Sequence, residues 1–401
     1  MISMASEAYE YLSESPQPNE TEFLFTSMQH DLRATGKVAE IITPAFGGGC
    51  EHSNFQQALR GAMEQARQAG QVNPIVVGAI PFDLTQASCL YIPAQYQWVE
   101  RSEPIHVSRE TKDSPTLLNQ RSIPDEQGFK KAVQHAIVNF QHSDIRKAVL
   151  SRICELEFSE PVDVQRLLAS LRVQNPSGYQ FRVPLSEGGE LIGVSPELLL
   201  RKQGAQIESN PLAGSAKRQA DPEQDRAIAD RLMTSPKDQY EHHLVIDEIR
   251  RVLEPHCAEL DIPDHPSLMS TSALWHLSTQ IKGRLRNPEL NALQLACQLH
   301  PTPAVCGYPT GQARKLINLV EPFERGLFTG IVGWCDSQGN GEWVVTIRCG
   351  IVQHKNIRLF AGAGIVEASQ PDAEWNETQA KLGTMLNACG LGWINSLDTP
   401  A

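Results

Sequence analysis

Near the C-terminal end, the stretch FAGAGIVEASQPDAEWNETQAK carries Glu374, Glu377 and Lys381. On a helix turning roughly 100° per residue, Glu374 and Lys381 project about 20° apart, and Glu377 falls within about 60° of both. Two carboxylates and an ammonium on one face could hold a cation and an anionic substrate together. The same spacing also suits a solvated face with an ordinary Glu377–Lys381 pair. Just upstream, Ile357, Leu359, Ala361 and Ala363 alternate with Arg358, Phe360, Gly362 and Gly364. Glycines on a strand let a ligand approach the backbone closely.

A second acidic group lies in KDQYEHHLVIDE, where Asp238, Glu241 and Glu248 fall on one side of a helix. Glutamates from two distant helices could converge on one hard cation. Mg²⁺ takes one or two carboxylates, completed by water and substrate oxygens. Lys147 opens an apolar strand, where a half-buried amine can act as a base or merely snorkel to solvent. Glu197, at a break in a strand, is either a candidate acid or a turn residue. PLAGSAKR (211–218) reads as a Gly-Ser loop with two cations that could cradle an anion, without the full Walker pattern. In GEWVVTIRCG, period two puts Trp343, Val345, Ile347 and Cys349 on one face and Thr346 and Arg348 on the other. His242 and His243 are adjacent and point to different helix faces, so they chelate poorly. His276 and His300 are single histidines, a type more common in hydrogen-bonded cores and loops than in ligand sets. GxSxG, HExxH and a dinucleotide-binding glycine motif are absent.

The elements that must position these groups follow from periodicity. FQQALRGAMEQARQAG and DEQGFKKAVQHAIVNFQH read as helices, the second with Phe129, Val133, Ile137 and Phe140 on one face. NPIVVGAIPFD and RKAVLSRICELEF read as strands. GELIGVSPELLLRK is a strand interrupted at Ser195-Pro196-Glu197, since proline cannot donate to a ladder. The helix from Pro236 has Ser235 as N-cap, Pro236 at N1 and Asp238 at N3. GEWVVTIRCGIVQHKNIRLFAGAGIV reads as a hairpin about His354-Lys355-Asn356. Residues 101–122 are polar and suit an irregular connector. Strands and helices without strict alternation predict a mixed α/β (α+β), largely antiparallel architecture. Residues 1–21 read as a flexible tail and 22–393 as one catalytic domain.

The 401 residues carry a net charge of −12, which disfavours nucleic acid or anionic membrane as partner. Any anionic substrate then needs a local cluster of cations. The nine cysteines form no CxxC pair, as expected of free thiols in a reducing cytoplasm. The N-terminus lacks the features of a secretory signal, and no apolar run is long enough to span a membrane.

VGAIPFD, KAVLSR, SPELLLRK, PLAGSAKR, KDQYEHHLV, LWHL, LHPTPAVCG, FTGIVGWCDSQGNGEWVVTIR and LFAGAGIV…EWNETQAKL occur in that order over roughly 75–390. Together they resemble the chorismate-utilising enzymes, and within them the isochorismate-forming branch of catecholate siderophore pathways. The resemblance implies two antiparallel sheets packed face to face and flanked by helices, with the site between them. It implies Mg²⁺-dependent, reversible addition of water at C2 of chorismate with loss of the C4 hydroxyl. Lys147 matches the general base and Glu197 the general acid; Glu241, Glu377 and Glu374 match the metal ligands. Gly214, Ser215, His276, Thr346, Arg348, Gly362 and Lys381 match positions around the substrate. Ala304 and Phe328 stand where the ammonia-using and salicylate-forming members carry Thr and Tyr. No amidotransferase subunit is therefore expected, and the chain is expected to act as a cytoplasmic monomer. The nearest rival is salicylate synthase, which adds pyruvate elimination. A non-catalytic chorismate- or metal-binding protein is opposed by retention of both Lys147 and Glu197.

Overall fold

A computed structural model describes residues 22–28, 30–100 and 115–392; the expected tail at 1–21 lies outside these. Ten strands form one sheet, nine a second and three a small third, with every pairing antiparallel. The small third sheet was not expected from the sequence. It is built by Leu212–Lys217, Ser267–Ser270 and Leu274–Ser278.

Strand periodicity sorts the layers. In Ile75–Ile80, Ile75, Val77 and Ala79 enter the core between the two large sheets, with Phe23, Phe25, Phe181 and Phe360. Val76 and Ile80 point the other way, toward the helices Asn54–Gln68, Pro236–Leu253 and Ala292–Leu299. Because both faces are covered, all six residues are buried, and the strand reads as one apolar run rather than an alternation. The outer face of the ten-stranded sheet is covered by helices including Glu126–Gln141, Val164–Gln174 and Pro371–Ala388.

Two strand breaks carry the chain between the large sheets. Glu190–Ser195 belongs to the ten-stranded sheet and Leu198–Gln203 to the nine-stranded one, so the Ser195-Pro196-Glu197 break is a crossover that brings Glu197 to the junction. The second break corrects the expected hairpin. Gly341–Val345 lies in the nine-stranded sheet, and the hairpin is Cys349–Gln353 with Asn356–Ile365 in the other. Period two therefore does not run through 343–349. Trp343 packs outward from one sheet, while Cys349 faces the inter-sheet core of the other. Arg348 sits in the turn between them with φ +50°, a conformation uncommon outside glycine.

Two segments expected to be irregular are strands. Within the connector, Leu117–Ile123 pairs with Lys147–Phe158 as a largely exposed edge, which explains its polar composition; residues 101–114 lie outside the described ones. PLAGSAKR is a strand bulged between Leu212 and Ser215, where Gly214 takes φ +79°. The bulge hid the strand by breaking its alternation.

Candidate active site

Lys147, at the head of the strand Lys147–Phe158, is fully buried rather than half-buried. Its Nζ lies 3.0 Å from Glu241 Oε1 but makes no hydrogen bond of good geometry. The strand is held from two sides. Arg325 donates to the Val149 carbonyl and pairs with Glu321, whose Oε1 accepts from the Ser151 N–H at 2.7 Å. Arg152 lies 3.8 Å from the Trp375 ring centre and donates to Thr378 Oγ1 at 2.8 Å, locking the strand to the helix Pro371–Ala388. Buried charges in a network of this kind fix relative position as much as they stabilise.

Glu241 arrives on the helix Pro236–Leu253, whose start is as expected: the Ser235 side chain accepts from the Asp238 N–H. The neighbouring strand must leave room for it. A Cβ on Gly364 would stand 2.2 Å from Glu241 Oε1 and 3.1 Å from Lys147 Cε. On the C-terminal helix, Lys381 pairs with Glu377 at 2.6 Å and donates to the Gly362 carbonyl at 2.8 Å. Glu374 is buried, with Oε1 paired to Lys237 Nζ at 2.6 Å and Oε2 without a hydrogen-bond partner. Three lysines thus answer three glutamates. Lys237 was missed in the sequence, although it lies one helical turn before Glu241.

Burial drives the carboxyl groups apart in acidity. Glu197 is pushed up to about 7 by burial, against opposing pulls from Lys147, Arg348 and Lys381. Glu374 is likewise pushed up to about 7, by burial and then by the charge of Glu377. Glu241 is equally buried, yet the field of Lys147, Lys237 and Lys381 holds it below the usual carboxylate range. Burial also lowers the Arg348 guanidinium to about 10, and no acidic partner pairs with it among the described residues.

A pocket opens between the ten-stranded and the small sheet, beside the two crossovers to the nine-stranded one. Its walls include Glu197, Glu241, Glu377, Gly214, Ser215, His276, Ala304, Phe328, Arg348, Gly362 and Lys381. Phe328 stacks on Phe360, with ring centres 5.0 Å apart. A family model described as chorismate binding enzyme matches residues 84–390. The chain belongs to this family of chorismate-binding enzymes. It is 46% identical over 371 residues to isochorismate synthase EntC of Escherichia coli (strain K12), covering 92% of this chain and 95% of EntC. It is 42% identical over 397 residues to isochorismate synthase DhbC of Bacillus subtilis (strain 168), covering 96% and 97%. The crystal structure of DhbC from Bacillus anthracis superposes with a TM-score of 0.87 at 40% identity, covering 94% of this chain and 97% of that one.

Not every expected site residue reaches the pocket. Thr346 is fully buried behind the wall, its N–H bonded to the Gly330 carbonyl and its hydroxyl unpartnered. Lys147 and Glu374 sit behind the lining rather than in it. Glu248 pairs with Arg251 and takes no part. Arg218 of the expected anion cradle is tied to Asp225, and PLAGSAKR lines the pocket through Leu212, Ala213, Gly214 and Ser215. His242 is structural, bonded to the Ala213 carbonyl and Thr279, and His300 bonds the Pro81 carbonyl. All nine cysteines are free, and no described helix is long and apolar enough to cross a membrane.

Among the described residues no three His, Cys, Asp or Glu side chains form a ready metal cage. Mg²⁺ does not demand one, because it keeps waters and substrate oxygens in its shell. The donor chemistry fits: hard carboxylate oxygens, with Glu374 Oε2 buried and unsatisfied. Glu377 and Glu241 are near enough to act on the same lysine, Lys237.

Proposed function

We infer that this chain is an isochorismate synthase, converting chorismate reversibly to isochorismate. The observation that carries this is a pocket lined by a buried carboxyl pushed up to about 7, Glu197, with a buried amine lacking a directional partner, Lys147, behind the lining and near enough to act on it. An acid poised near neutrality and a base beside it are what simultaneous proton donation and removal require.

Chorismate is a dianion, and the pocket meets it with Arg348 and Lys381. The backbone at Gly214 and Gly362 lines the pocket that would take the ring. Lys147 takes a proton from water as the water oxygen bonds to C2. Glu197 gives its proton to the C4 hydroxyl, which departs as water while the ring double bond shifts. One water enters and one leaves, so the reaction is an isomerisation and runs in both directions. Mg²⁺ held by Glu241, Glu374 and Glu377 would supply further positive charge for a substrate carboxylate. The product would feed 2,3-dihydroxybenzoate and catecholate siderophore formation, as the resemblance implies. We take the enzyme to act without an amidotransferase subunit, as a cytoplasmic monomer.

Ala304 and Phe328 present no hydroxyl to the pocket. This supports stopping at isochorismate over the salicylate-forming alternative. Product analysis after incubation with chorismate and Mg²⁺ tests the reading. Isochorismate without salicylate or pyruvate is expected. Salicylate with pyruvate, or anthranilate in the presence of ammonia, would overturn it.

A further inference from the structure

His276 is buried in the pocket wall between two polar groups. Its Nδ1 lies 2.8 Å from Ser215 Oγ, and its Nε2 lies 3.4 Å from an Arg348 guanidinium nitrogen. Arginine can only donate, so His276 Nε2 must accept. In a neutral imidazole the proton then resides on Nδ1, which donates to Ser215 Oγ. The Ser215 hydroxyl, having accepted from His276, keeps its own proton for another acceptor. Ser215 lines the pocket, so that acceptor is a ligand oxygen.

We propose that Ser215 and His276 are positioning residues forming a one-way hydrogen-bond chain that aims the Arg348 guanidinium and turns the Ser215 hydroxyl proton into the pocket. Three further observations support it. Arg348 stands in a left-handed turn with no acidic partner among the described residues, so its own backbone and side-chain contacts leave its head to be steered. Ser215 and His276 are directly opposed across the small sheet, so their alignment is set by strand register. The charged groups acting on His276 are Arg348 and Lys381, both cations, which together with burial disfavour an imidazolium. The Ser215–His276–Arg348 side of the wall thus turns donors inward, suited to the oxygens of a carboxylate or hydroxyl.

This rests on the chorismate reading only for the choice of substrate, and the first test does not need substrate at all. Isotope-labelled histidine in the full-length protein, with His276→Gln for assignment, reports the tautomer by long-range proton–nitrogen NMR correlation. A neutral, Nδ1-protonated ring that does not titrate across about pH 6 to 9 is expected. An Nε2-protonated ring, or an imidazolium at the acid end, would overturn the proposal whatever the variants do. Kinetically, Ser215→Ala should raise the chorismate KM about tenfold or more with a smaller change in kcat. Ser215→Thr, which keeps the hydroxyl, should recover most of that loss. An unchanged KM in Ser215→Ala, or a loss that Ser215→Thr fails to recover in a folded protein, would equally refute it.

Discussion

Replacing Gly364 by Ala adds one methyl group at the most crowded point of the site. Its Cβ would stand 2.2 Å from Glu241 Oε1 and 2.8 Å from the carboxylate carbon, whereas ordinary contact begins at 3.4 Å. The carboxylate must therefore retreat by about 1.2 Å, and Lys147 Cε, 3.1 Å away, cannot follow into the same space. Gly364 does not use a left-handed φ, so alanine's backbone conformation is not the obstacle. Glu241 is the end of a flexible side chain, so the fold survives while the Lys147–Glu241 arrangement does not. Misplacing a catalytic constellation by about 1 Å costs about 10²-fold, so kcat/KM for isochorismate formation should fall by roughly that factor. Overpacking costs about 1–3 kcal/mol, partly offset by the reduced entropy of the unfolded chain, so Tm should drop by only a few degrees. Gly311→Ala, on a helix with nothing within 4 Å, is the control and should leave kcat/KM unchanged. Shortening the partner in a Gly364→Ala, Glu241→Asp double variant should return part of the space, giving a non-additive cycle. Near-normal turnover in Gly364→Ala, or strict additivity in the cycle, would refute the geometry.

Lys147→Ala and Glu197→Gln should each abolish turnover while chorismate binding, measured by equilibrium titration, survives; near-normal turnover in either removes that residue's role. Glu197 must be protonated to act, so the rate should fall as pH rises through about 7. On the acid side Glu374, also near 7, must lose its proton to bind a cation, so raising Mg²⁺ should relieve the acid limb only. Lys237→Met removes the partner that orients Glu374 Oε1 and should weaken Mg²⁺ binding about 10–100-fold by calorimetry, alongside a loss of stability from leaving the buried carboxylate unpaired. Glu321→Leu strands the buried Arg325 charge behind the strand of Lys147 and should cost about 3–5 kcal/mol in denaturant unfolding.

Much of this was legible in the residues. The helix start at Ser235-Pro236, the Glu377–Lys381 pair and the strand break at Pro196 each follow from local chemistry that tertiary packing did not override. The shared strand face of Thr346 and Arg348 was misjudged because alternation was carried through a turn. A left-handed non-glycine residue gives no sequence signal, so the change of sheet at Arg348 was invisible. Glu248 shares the helix side of Glu241 but lies seven residues further along, beyond the pocket and beside Arg251. Lys237 was overlooked because a lysine near a helix start suggests solvent, and only Glu374 from a distant helix gives it a partner. The Lys-Glu pairing across three elements depends on topology, which spacing alone does not encode.

The most direct test of the central claim is conversion of chorismate in water enriched in the heavy oxygen isotope, followed by mass analysis of the products. Isochorismate carrying one labelled oxygen at C2, formed without pyruvate, is the predicted result. Unlabelled isochorismate would show that the hydroxyl migrates without water and would contradict the roles assigned to Lys147 and Glu197; salicylate with pyruvate would show that the pocket carries the chemistry further and would contradict the assignment as an isochorismate synthase.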